Sequence, residues 1–106
     1  MENKMIDEMK KNQATVKLDE PIKRGETELT EVVVRKPNTG ALRGVRLQAL
    51  MDMDVLSMSE VLPRITSPSL TKPEIMAMNP ADLVLLSIEV VNFLLPNSMR
   101  TDYQND

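Results

Sequence analysis

The sequence predicts an α+β fold in which an N-terminal β-hairpin packs on a small bundle of about three helices. Three observations predict it. Residues 15–35 alternate apolar and polar side chains and are rich in β-branched residues, the pattern of half-buried strands. From Leu47 the apolar spacing changes to that of a helix, and Pro and Gly clusters separate the segments. At 106 residues one domain is expected, with residues 1–14 as a flexible N-terminal tail, 15–95 as the folded unit (hairpin 15–37, helical part 42–95) and 96–106 as a polar C-terminal tail.

The first strand is expected to start at Thr15, because Val16 and Leu18 alternate with Lys17 and Asp19, and to break at Asp19-Glu20-Pro21. Thr27 to Arg35 (TELTEVVVR) is the second strand, and Lys23-Arg24-Gly25-Glu26 is the connection. Two strands alone are marginally stable, so the hairpin must lie on helices or extend a sheet elsewhere. After the turn Pro37-Asn38-Thr39-Gly40, residues Leu47, Met51, Val55, Met58 and Leu62 recur every three or four positions, which predicts one helix that Pro63 ends or kinks. Thr66-Ser67-Pro68-Ser69 reads as a loop. Thr71-Lys72-Pro73-Glu74 has the form of a capping box opening a short helix through Ile75, Met76 and Met78.

The last helix has the fullest signals: Asn79 as N-cap, Pro80 at the first helical position, then an apolar run to Pro96. On a helical wheel Asp82, Leu85, Glu89 and Asn92 form a narrow strip and apolar residues cover the rest, more than the single stripe of a surface helix. Either this helix is central to the domain or one flank is open to another chain.

Composition narrows the chemistry. The chain has no Cys, His or Trp, nine Met, one Phe and one Tyr. Without imidazole or thiol there is no Ser-His or Cys-His nucleophile pair and no ordinary zinc or copper site. No cofactor or metal is expected, and an enzyme is not the expected class. The core must be Leu, Val, Ile and Met around Phe93; the plainer role for the Met residues is core filler, the sharper one an adaptable binding surface. The net charge of −3 is uneven, with three bases and three acids in residues 1–14, seven and five in 15–46, and three and eight in 47–106. Nothing there supplies the basic face and aromatic platforms that nucleic acid wants, the N-terminus lacks a signal-peptide core, and no run of about 20 apolar residues is present to span a bilayer.

Asp52 and Asp54 lack the central Gly and terminal Glu of a calcium loop, and Gly40 with Gly44 is neither a P-loop nor part of a membrane helix. Arg35, Lys36, Arg43 and Arg46 form the one basic cluster, read as solvated charge or as a docking surface for an acidic partner.

The order Val16-Lys17-Leu18, Pro21-Ile22, Gly25, Glu28-Leu29-Thr30-Glu31-Val32, Arg35-Lys36-Pro37 and Gly40-Ala41-Leu42-Arg43-Gly44 resembles the opening of the tail assembly chaperone family of Mu-like, contractile-tailed phages and prophages. Leu50-Met51-Asp52-Met53-Asp54-Val55, Val61-Leu62-Pro63-Arg64-Ile65, Pro68-Ser69-Leu70-Thr71, Pro80-Ala81-Asp82-Leu83 and Phe93-Leu94 continue it. The resemblance spans about Thr15 to Leu95 and rests on the shared order of individually common pieces.

This resemblance implies a non-catalytic protein of the host bacterial cytoplasm, absent from the mature virion, that binds the tape measure protein and keeps that long helical chain soluble during tail assembly. It also implies, as further partners, other tail proteins and a longer frameshifted form of the chain itself. A Met/Leu groove suits such a client, and the candidate partner-binding residues are Leu47, Met51 and Met58, Arg43 and Arg46, and Val84, Ile88 and Val91 on the outer flank of the last helix. The exposed hairpin makes a homo-oligomer a further expectation. The alternative is a small ribbon-helix-helix DNA-binding regulator or antitoxin, although Glu28 and Glu31 stand where a DNA-reading strand wants basic and polar residues. A carboxylate enzyme using Asp52, Asp54 or Glu60 has no second polar constellation beside it.

Overall fold

Strand β1 (Gln13–Arg24) and strand β2 (Thr27–Arg35) form the antiparallel hairpin that their alternation predicts. A computed structural model describes residues 12–99, so the expected flexibility of residues 1–11 and 100–106 lies outside the described residues. The turn is Gly25-Glu26, and Gly25 takes φ 58°, a conformation that costs glycine little. A third strand, β3 (Thr66–Ser67), pairs with the other edge of β2 through Val33↔Ser67 and Val34↔Thr66, giving the order β1-β2-β3. It falls where a loop was expected. The fold is α+β, the hairpin followed by four helices with β3 between the second and third: α1 (Leu47–Met51), α2 (Val55–Ile65), α3 (Lys72–Ala77) and α4 (Pro80–Leu94).

Three local expectations need correction. Gln13 and Ala14 belong to β1 rather than to a tail, and β1 does not break at Pro21. The pairing Lys17↔Glu31 resumes at Ile22↔Leu29, so Leu18 to Pro21 oppose Thr30 alone and bulge from the ladder. Proline, which has no N–H to give the ladder, is tolerated in such a bulge. The amides of Asp19 and Glu20 donate instead to Asp82 Oδ1 at 2.6 Å and Oδ2 at 3.0 Å. Asp82 is therefore fully buried beneath the sheet rather than part of a polar outer strip.

The expected helix from Leu47 to Leu62 is two helices, α1 and α2, separated at Asp52–Asp54. Nor does Pro63 end α2, which continues to Ile65. Its last carbonyls find other donors: Thr66 Oγ1 donates to Leu62 O at 2.7 Å, Ser69 Oγ to Pro63 O at 2.7 Å and Arg35 Nη2 to Arg64 O at 3.3 Å. Arg64 Nη1 in turn donates to the carbonyls of Ala41 and Arg43, both at 2.9 Å, and so ties the 3-10 turn Thr39–Leu42 to α2.

The capping box is as expected. Thr71 Oγ1 accepts from Glu74 N at 3.2 Å and Glu74 Oε1 accepts from Thr71 N at 3.0 Å. The same carboxylate takes a bidentate pair from Arg24 at the hairpin end, both contacts at 2.7 Å, while Arg24 Nη2 also reaches Ser69 O at 2.6 Å. Asn79 caps α4 and Pro80 opens it. Val16, Leu18, Val32 and Val34 from the sheet meet Leu50, Met58, Leu62, Ile65, Leu86, Val90 and Phe93 from the helices in one core. Met58 lies in that core and Met78 packs half-buried against it, whereas Met51, Met53, Met76 and Met99 are exposed, so among the described residues this residue type is divided between core and surface.

Candidate partner-binding surface

The chain between α1 and α2 decides which apolar residues reach solvent. Asp54 N donates to Ala49 O at 3.0 Å and Met53 N to Leu50 O at 2.9 Å, the six-to-one and five-to-two bonds of a Schellman helix end. The residue required in the left-handed conformation there is Met53, with φ 60°. Asp54 then caps α2, its Oδ2 accepting from Ser57 N at 3.0 Å and from Ser57 Oγ at 2.8 Å. These bonds hold the Asp54 carboxyl below the usual carboxylate range, the hydroxyl contributing most. Asp52 accepts from Gln48 Nε2 at 3.1 Å. Both aspartates are thus explained as parts of helix ends.

Breaking the helix at this point rotates the apolar stripe. Met58 and Leu62 turn inward and are fully buried, whereas Leu47 is 60% exposed and Met51 and Val55 also face solvent. Met58 is therefore withdrawn from the candidate surface, because a side chain with no accessible area cannot meet a partner. Leu56, 66% exposed, and Met53 join the surface; an unbroken wheel hid both, and the signal for the break was the Asp54-x-x-Ser57 cap pattern. On α4, Val84 and Leu85 are exposed, Ile88 and Val91 are half-buried, and Leu86, Val90 and Phe93 face the core. Helix α1 packs against both α2 and α4, so the exposed apolar residues lie on α1 and on the two helices it touches. The candidates Arg43 and Arg46 flank the entry to α1 and are exposed, although Arg43 Nη1 also donates to Gly40 O at 2.9 Å.

Little else gathers polar groups. Glu60 bonds Lys72 Nζ at 2.6 Å and lies 3.5 Å from Arg64, and the lysine chiefly keeps its carboxyl low. Glu74 is lowered to about 2, first by Arg24. Glu89 is the exception: half-burial on α4 raises its carboxyl, and no cation among the described residues offsets that burial. Among the described residues no group of three or more His, Cys, Asp or Glu could hold a metal ion, and no helix is long and apolar enough to cross a membrane. Among the described residues one open depression lies beside Arg35–Asn38 and another between the β1 bulge and α3. Strand β2 pairs with β1 on one edge and through Val33 and Val34 with β3 on the other, which leaves it unlike the free strand of a ribbon-helix-helix dimer.

The family described as "Phage tail assembly chaperone proteins, E, or 41 or 14" matches residues 15–95. "Tail assembly protein E" of Escherichia phage P2 is 46% identical over 85 residues, which cover 80% of this chain and 93% of that protein. "Tail assembly protein E'" of the same phage is 45% identical over 80 residues, 76% of this chain but 56% of that protein, so the chain spans a little over half of E'. No solved structure matches. The apolar surface on α1, α2 and α4 falls inside the matched region.

Proposed function

The chain belongs to the phage tail assembly chaperone family, and on that footing we propose that it binds the tape measure protein and keeps it soluble while the tail is built, without catalysis of its own. The observation that carries this reading is the group of exposed apolar residues on α1, α2 and α4, Leu47, Met51, Leu56, Val84 and Leu85 among them. A domain this small gains nothing from leaving so many large aliphatic side chains in water unless a partner covers them. A long helical client with apolar stripes is such a partner, and the unbranched thioethers of Met51 and Met53 adapt to stripes of differing shape. Each contact is weak, and many copies along one client supply the avidity. Arg43 and Arg46 steer acidic stretches of the client to the surface.

The proposed place of action is the host bacterial cytoplasm, before the virion is complete. A longer, E'-like product sharing this region is a second proposed partner, since the relative E' extends well beyond the stretch it has in common with this chain. Pull-down of a purified tape measure fragment by the folded chain tests the reading. Retention of the fragment supports it; no retention at micromolar concentrations of both proteins sinks it.

A further inference from the structure

Helix α4 carries a second apolar seam besides the one it buries. Leu86, Val90 and Phe93 face the core, while Ala81, Val84, Ile88 and Val91 follow one another at spacings of three, four and three on the other side, the last of them half-buried against the edge of the core. That is the heptad rhythm with which one helix receives another. Ala81 and Val84 are exposed, Ile88 and Val91 half-buried. Leu85 flanks the seam, and Glu89 lies one turn further along the same side, half-buried. No described residue bonds or pairs with the Glu89 carboxylate, in contrast to Glu60 and Glu74, whose cations are supplied from within the chain.

We propose that the α4 seam receives a helix of the client with a matching heptad stripe, and that Glu89 selects a stripe bordered by lysine or arginine. This inference rests on the chaperone reading above and assigns its contact surface and the chemistry of the bound helix. Two arguments favour a client over a second copy of this chain. The outward face of a four-turn helix covers roughly 400 Å², about half of the ~800 Å² per partner of a standard stable interface, which suits repeated weak contacts better than a lasting dimer. The seam also presents one acid that no described residue pairs and no base of its own, so a copy of α4 could not neutralise it. A client lysine or arginine could lay its aliphatic stem along Leu85 and set its charge on Glu89.

The test uses the full chain and two synthetic peptides of about four heptads with identical apolar positions, bordered either by Lys or by Glu, alongside the tape measure fragment. Wild type should bind the Lys-bordered peptide at least about tenfold more tightly. Glu89→Gln should remove most of that preference and Glu89→Lys reverse it, while Glu28→Gln on the hairpin, a control for overall charge, should leave it intact. Ile88→Asp, shown to be folded by circular dichroism, should lose both the peptide and the tape measure fragment. If Ile88→Asp or the milder Val84→Ser keeps full binding to the fragment, the seam is overturned and the chaperone reading stands. If wild type binds the peptide but not the fragment, the chaperone reading falls and with it the client assigned to the seam. A preference unchanged in Glu89→Gln overturns the role of Glu89. A dimer in sedimentation equilibrium that Ile88→Asp dissociates overturns the choice of client in favour of a second copy.

Discussion

Asp82 in the first turn of α4 accepts the main-chain amide proton of Asp19, 63 residues earlier, at 2.6 Å, and that of neighbouring Glu20 at 3.0 Å. One carboxylate thus satisfies two amides that the β1 bulge takes out of the sheet and fastens the sheet to the helix that carries the outer seam. Hydrogen bonds to a charged acceptor contribute about 1.5–3 kcal/mol each, with losses at a shared acceptor overlapping, so Asp82→Ala should cost about 3 kcal/mol in urea unfolding. Asp82→Asn, which keeps one oxygen acceptor, should cost less. Equal and negligible effects of both would show that the bulge holds itself.

The Arg24–Glu74 pair makes stability depend on acid. The folded-state carboxyl is lowered from the ordinary value of 4.5 to about 2, first by the Arg24 hydrogen bond. A lowered carboxyl binds its proton more readily when unfolded, so its contribution is complete above about pH 5 and is lost as the pH falls from there through about 2. With both side chains partly open to solvent, about 1–2 kcal/mol is at stake. Glu74→Gln retains an acceptor for Thr71 N yet removes the charge, and its denaturation midpoint should converge on that of wild type as the pH approaches 2. A constant gap between the two across that range would contradict the assignment.

Met53 sits at φ 60° in the helix-end position that glycine usually occupies. Met53→Gly should relieve the backbone and stabilise the domain by about 1 kcal/mol. Because the thioether is also part of the exposed apolar surface, the same variant should hold client less well. Such opposite movement of stability and binding would mark a residue retained for contact; a variant that is less stable would show that the Met53 side chain is needed for folding.

Exposure should separate core from surface along the expected single stripe. Met58→Ala should cost about 3 kcal/mol by opening a cavity among fully buried neighbours, whereas Leu47→Ala and Leu56→Ala should each change stability by less than about 0.5 kcal/mol. Thermal melts of the three variants decide this directly.

What the sequence showed plainly was local. The hairpin, the Thr71–Glu74 capping box and the Asn79-Pro80 opening of α4 are each set by residues within a few positions of one another, and all are present. Partners distant in the chain were not visible. Thr66-Ser67 becomes a strand because β2 offers an open edge, the last carbonyls of α2 are taken by side chains of Arg35, Thr66 and Ser69, and Asp82 is buried because a bulge 63 residues away needs an acceptor. The candidate surface was legible in part for the same reason. Val84, on a helix with more apolar surface than one stripe, and Leu47, a candidate groove residue, are both exposed, but assigning Met58 to the surface and overlooking Leu56 both follow from treating an apolar period as one helix when two short caps divide it.

The central claim is that the exposed apolar surface on α1, α2 and α4 holds the tape measure protein in solution. Its most direct measurement is the soluble fraction of a tape measure fragment co-expressed with wild type or with the double variant Leu47→Asp/Leu56→Asp, both confirmed as folded by their thermal melts. Wild type should keep most of the fragment in the supernatant and the double variant should leave it in the pellet. Equal solubility with the two proteins would contradict the account.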